Sequence, residues 1–155
     1  MEITHRPAVR VICLDDEHRV LLQCWRDPAD GALLWEPPGG GIEPGETPRD
    51  TACRELAEET GFDPTAIGER WIEVERDTQW DGRRFVGVEQ FFVARFDAAQ
   101  PEPGLAHLRP DEQVNLVTCR WFDRATLSAL PDHLEPPNLV QLLAVLDPDG
   151  PWASP

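Results

Sequence analysis

A chain of 155 residues, 41% apolar and 28% charged, is long enough for one globular domain with a core and a cleft, and too short for a second full domain. Acidic residues number 29 against 14 basic ones, and the formal charge of -15 disfavours non-specific binding to a nucleic-acid backbone or an anionic membrane. A phosphate-bearing ligand would therefore need local help, from a divalent metal or from particular arginines.

The amino-terminal MEITHRPAVRVICL has no basic start leading into a long apolar core, so no secretory signal is expected. Nor does any stretch reach the roughly 18 apolar residues of a spanning helix. Ala8 to Leu14 and Arg19 to Trp25 are β-rich runs separated by the polar DDEH, which predicts a hairpin. RDPADGA reads as a loop and Leu33 to Glu36 as a short strand running into the proline and glycine cluster Pro37 to Gly41. The strongest helix signal follows: Thr47 as N-cap, Pro48 at the first helical position, Asp50 in the first turn and Gly61 just past the end.

At 100° per residue, with Glu55 set at zero, Glu58 falls at about -60° and Glu59 at about +40°. Ala52, Leu56, Cys53 and Ala57 span about +60° to +200°, so one face is expected to be acidic and another to pack. Arg54 borders the acidic face one turn before Glu58.

Arg70 to Asp77 and Arg84 to Phe96 predict two strands joined at Asp81-Gly82, a strong hairpin signal. Residues 97–111 lack periodicity and read as a long loop of the kind that borders a site. A strand from Val117 to Phe122, a short helix from Asp123 to Leu130 and an amphipathic helix from Asn138 to Leu146 complete the series, with DPDGPWASP expected to be a loose tail. Intermixed strands and helices predict an α/β sandwich with a mixed sheet, a single domain over residues 1–155. Cys13, Cys24, Cys53 and Cys119 form no CxxC pair and the four histidines are dispersed, which points to reduced thiols in a cytoplasmic protein and away from a His/Cys metal site.

The glycine loop and helix admit several readings. GGIEPGET matches a phosphate-binding P-loop except that Glu46 replaces the lysine, reversing the charge that would face a phosphate. A dinucleotide fingerprint fails because Pro44 stands at the third glycine position. The DPDG of Asp147 to Gly150 lies too near the end to complete a calcium loop. Gly40, Glu46, Arg54, Glu55, Leu56, Glu58, Glu59, Gly61 and Phe62 form instead one unit, G-x5-E-x7-R-E-U-x-E-E-x-G-U, with U bulky and apolar. This resembles the Nudix box of the MutT-like pyrophosphohydrolases, and its strict residues would align by chance on the order of 10⁻⁵ times per chain.

The resemblance implies an α/β/α sandwich and a hydrolase that cleaves the pyrophosphate bond of a nucleoside diphosphate joined to another group, by attack of water on phosphorus. It implies that Glu55, Glu58 and Glu59 are ligands of magnesium, with manganese as a substitute, and that Glu59 matters most. Hard carboxylate oxygens suit these ions. Gly40 would offer a main-chain carbonyl, Arg54 would orient the carboxylates, and Glu46, more peripheral, would anchor the loop or help to hold a metal. Glu112 and Glu89 are the candidates for general base.

Trp25, Trp35, Trp71 and Trp80 could stack on a base, and none is assigned. Pro37 stands where the family more often has leucine or phenylalanine, which affects local strand geometry. The tyrosine mark of diadenosine polyphosphate hydrolases and the downstream proline of ADP-ribose hydrolases are absent, which leaves the substrate open. The expected partner is a small nucleoside diphosphate derivative, without nucleic acid or membrane, bound by a monomer or homodimer. The rival reading is a non-catalytic module of the same fold that senses a nucleotide metabolite.

Overall fold

The computed structural model describes residues 1–153. Its centre is strand β2 (Ala8–Leu14), AVRVICL, whose seven residues are all buried. A strand covered on both faces needs no polar alternation, and here even Arg10 is enclosed. Strand β1 (Ile3–His5) precedes it, β3 (Val20–Arg26) and β4 (Leu33–Glu36) follow, and Gly39–Gly41 form the short strand β5. Helix α1 (Pro48–Thr60) comes next, followed by the long hairpin of β6 (Ile67–Trp80) and β7 (Arg83–Arg95). Helix α2 (Pro110–Asn115), β8 (Leu116–Phe122), α3 (Arg124–Ser128), β9 (His133–Leu134) and α4 (Leu139–Leu146) complete the order.

The sheet is mixed: β7 runs parallel to both β1 and β2, β4 runs parallel to β9, and the other pairings are antiparallel. Strands β2 and β3 meet only at Leu14 and Val20. Away from that point β2 turns its edge to β5, pairing Ala8 with Gly41, Val9 with Gly40 and Arg10 with Gly39, while β3 pairs with β4 on one side and β8 on the other. The sheet thus divides at β2 and β3, and the opening becomes a cleft.

Alternation along β2 sorts the core into two layers. Ile12 and Leu14 pack with Phe91, Phe122, Leu139, Leu143 and Trp152 under α4. Val9, Val11 and Cys13 pack with Ala52, Leu56, Phe62 and Phe92 under α1. Helix, sheet and helix stack as the expected α/β/α sandwich. None of the helices among the described residues is long and apolar enough to cross a membrane.

Several elements depart from expectation. The proline and glycine cluster contributes a strand, β5, because residues without side chains can ladder against β2 where space is short. The segment before β8 that carries Glu112 forms a short helix, α2, for which no helix was expected. The tail expected to be loose is anchored at Asp147 and Trp152: Trp152 is 1% exposed, and its indole N–H donates to the buried Asp147 Oδ2 at 3.0 Å. His18 Nδ1 lies 2.8 Å from the same oxygen, and Arg95 pairs with Oδ1 at 2.9 Å. The last two residues of that segment, 154 and 155, lie outside the described residues.

Candidate functional site

Helix α1 begins with a full capping box. Thr47 Oγ1 accepts from Asp50 N, and Asp50 answers at Thr47 N, while Gly61 closes the far end at φ 70°. With both ends fixed, the register turns Thr51, Ala52, Glu55, Leu56, Glu59 and Thr60 inward. The acidic and packing faces therefore overlap. Glu55 and Glu59 are 4% and 2% exposed, at the edge where α1 meets the cleft.

One carboxylate oxygen each from Glu55, Glu59 and Glu112 lies within 4.8 Å of the others. Glu58 does not join them. Its carboxylate, a third exposed, is turned to Arg54 NH1 at 3.4 Å. Glu58 lies about 100° around α1 from Glu59, on the side where Arg54 stands. The third carboxylate comes from α2.

Loop and helix are locked together by Arg54. Its Nε and NH2 donate to the two oxygens of Glu46 at 2.7 and 2.8 Å, and its NH1 donates to Glu55 Oε1 at 3.0 Å. This fork holds the Glu46 carboxyl down to about 2. Gly39 N–H donates to Glu59 Oε1 at 3.0 Å, tying β5 to the helix from the other side. Burial, joined by repulsion from Glu55 and Glu112, pushes the Glu59 carboxyl well above its ordinary range. Burial also raises Glu112, against the opposing hydrogen bond from Arg109 N.

Glu89 does not reach this cluster. It is 7% exposed on β7, where Oε1 accepts from Arg76 at 2.7 Å and from Arg10 at 3.3 Å. Arg10 also meets Glu36 at 3.1 Å and Arg76 meets Glu135 at 2.7 Å, so Glu89 is the middle of a buried ion-pair chain. Of the two candidates for general base, Glu89 is thus enclosed between two guanidiniums, whereas Glu112 stands beside Glu55 and Glu59.

The carboxylates lie along a cleft of about 440 Å³. Its lining includes the polar Arg6, Arg10, Glu36, Glu43, Arg109 and Glu112, the glycines Gly39 to Gly41, and the apolar Trp25, Leu34, Ile42, Trp80 and Phe85. Trp25 Nε1 is buried with no hydrogen-bond partner among the described residues. Trp35 belongs to the core and Trp71 is exposed outside the cleft, which divides the four tryptophans that sequence left unassigned. Arg6, Arg10 and Arg109 were missed at that stage because arginine recurs along the whole chain and supplies no local contrast.

The residues present suit a hard divalent cation. Three carboxylates are oxygen donors on one wall, and Gly40 has no side chain to obstruct Glu55. Comparison with known proteins agrees with this chemistry. Residues 4–143 match the family described as NUDIX domain. An RNA pyrophosphohydrolase of Roseobacter denitrificans is 30% identical over 94% of this chain and 91% of its own length. A second RNA pyrophosphohydrolase, from Rhodospirillum rubrum, is 34% identical over 76% and 73%. The crystal structure of a MutT NUDIX hydrolase from Burkholderia pseudomallei superposes with a TM-score of 0.54 at 27% identity, covering 84% of this chain and 90% of that one. The match spans the carboxylate cluster, its glycine loop and both halves of the divided sheet: the chain belongs to the NUDIX domain family and is a pyrophosphohydrolase acting on phosphoric anhydrides.

Proposed function

We propose that this protein is a magnesium-dependent hydrolase of a small nucleotide-derived substrate, split at a pyrophosphate linkage by water attack on phosphorus. The observation that carries the reading is the convergence of Glu55, Glu59 and Glu112 beside the Gly39 to Gly41 strand on one wall of the cleft. Glu55, Glu59 and the Gly40 carbonyl would hold the metal, with manganese as a substitute. Bound there, the ion supplies charge neutralisation of the diphosphate and polarisation of the attacked phosphorus.

Arg54 fixes the orientation of Glu55 and ties it to Glu46. Glu58, at the rim, shares that arginine. Glu112 is the general base: its carboxylate, raised by burial, faces the same space and accepts the proton of the attacking water. Trp25 and Trp80 offer aromatic surface for a base in the same cleft.

The test is hydrolysis of nucleoside triphosphates, nucleotide sugars, dinucleotides and coenzymes with magnesium, with the Glu59→Gln variant alongside. Turnover that survives that substitution, or no turnover of any substrate, overturns the reading. A second reading, a 5′ end of RNA as substrate, is favoured by the similarity to the two RNA pyrophosphohydrolases. The formal charge of -15 opposes contacts along an RNA backbone beyond that end. Release of phosphates from a short 5′-triphosphorylated RNA, faster than from the free nucleotide, would select it.

A further inference from the structure

Three arginines line the cleft: Arg6, Arg10 and Arg109. Arg10 is consumed by Glu36 and Glu89, and Arg109 by Asp111 and Glu112. Arg6 has no carboxylate within 4.0 Å and no side-chain hydrogen bond among the described residues, although the chain carries 29 acidic residues. Its guanidinium lies over the Phe85 ring, 4.8 Å from the centroid, and is thereby held in place.

The surrounding backbone makes room for it. A Cβ on Gly41 would stand 3.1 Å from Arg6 NH1, and one on Gly87 would collide with the Arg6 carbonyl. Gly41 follows Gly40, which packs against Glu55; successive strand residues face opposite sides, so Arg6 and Glu55 meet β5 from its two faces while both line the same cleft. Partial burial and the neighbouring Arg10 disfavour the charged form of this guanidinium, a cost that a bound anion would offset.

We infer that Arg6, stacked on Phe85 beside Gly41, is a specificity-determining residue that binds an additional substrate phosphate next to the pyrophosphate held at the carboxylates. The enzyme then favours a chain of three or more phosphates over a diphosphate capped by a neutral group. This rests on the metal-dependent hydrolysis proposed above and names which phosphoric anhydrides it prefers. Arginine suits the task because its planar fork meets phosphate oxygens in pairs.

The test is the affinity of inorganic tripolyphosphate and pyrophosphate, each with saturating magnesium, for the wild-type protein and its Arg6→Gln and Arg6→Lys variants, by titration calorimetry. Melting temperatures serve as the control for folding. Arg6→Gln is expected to weaken tripolyphosphate about tenfold and pyrophosphate less than about threefold, the loss of one charge-assisted contact, with Arg6→Lys recovering part of it. Equal weakening of both anions, no weakening of either, or no binding of tripolyphosphate by the wild type overturns the inference. The same three proteins are assayed on a nucleoside triphosphate and a nucleotide sugar. Anion selectivity without hydrolysis would defeat the proposed reaction and leave Arg6 standing, whereas hydrolysis without selectivity would do the reverse.

Discussion

Gly40 packs against the carboxylate of Glu55 so closely that a methyl group at residue 40 would stand 2.8 Å from Glu55 Cδ. Glu55 has nowhere to retreat, since it is buried and held by Arg54 NH1 at 3.0 Å. Gly40→Ala should therefore displace the carboxylate and lower magnesium affinity and turnover by roughly 10- to 100-fold. Titration calorimetry with magnesium measures the first effect and an initial-rate assay the second. Metal affinity equal to wild type would show that this contact does not set the position of Glu55.

In the metal-free protein the Glu59 carboxyl is raised above its ordinary value of 4.5 by burial and then by Glu55 and Glu112. The folded state keeps a proton that the unfolded chain has released, so stability declines as pH rises from about 4.5 through the raised value. Melting temperature with a chelator present should fall across that window. Saturating magnesium should flatten the dependence. Glu59→Gln should flatten it too, and melt no lower than wild type at neutral pH without metal, while losing on the order of 100-fold or more in turnover. A pH-independent melting temperature in the metal-free wild type would contradict this account.

The helix and its caps were legible because local chemistry dictates them: Thr47, Pro48, Asp50 and Gly61 define both ends whatever packs against the middle. The hairpin at Asp81-Gly82 was legible for the same reason, and both residues adopt positive φ, at 52° and 71°. Strand β6 was read too short. It pairs on one edge only, with β7, and its many exposed polar residues hide the strand period. Glu112 was visible as a candidate, but its union with Glu55 and Glu59 depends on a short helix 50 residues along the chain, which no local pattern encodes. The role of Glu89 was undecided because its partners, Arg10 and Arg76, come from two other strands.

Glu112 and Glu89 are separable by experiment. Glu112→Gln removes the carboxylate beside Glu55 and Glu59 and should lower kcat by about 10²- to 10⁴-fold with little change in melting temperature. Glu89→Gln leaves two buried guanidiniums short of a counter-charge and should cost about 3 to 5 kcal/mol of stability. Well below its melting temperature, that variant should keep turnover within a few-fold of wild type. Chemical denaturation and initial rates on both variants decide the matter, and the opposite pattern would return Glu89 to the reaction.

Arg54 bridges Glu46, Glu55 and Glu58 from one guanidinium, with Nε and NH2 engaging both oxygens of Glu46. A lysine reaches one of these partners at a time, so Arg54→Lys keeps the charge and loses the fork. Turnover should fall roughly 10- to 100-fold, and apparent magnesium affinity should weaken with it. A lysine variant with wild-type kinetics would mean that charge alone, and not the bridge, organises the loop.

Trp152 fills the end of the core beneath α4 and donates its indole N–H to Asp147, which His18 and Arg95 also hold. The segment after α4 thus closes one layer of the sandwich, and Trp152 is not among the residues that line the cleft. Trp152→Ala should remove about 3 to 5 kcal/mol. At about 2 to 4 °C per kcal/mol for a protein of this size, the melting temperature should drop by roughly 6 to 20 °C. Anion binding at the cleft should persist at temperatures where the variant remains folded, because none of the residues lining the cleft touches Trp152 through a hydrogen bond. A variant that melts with the wild type would show that the buried indole is dispensable, and that α4 and β2 close the core without it.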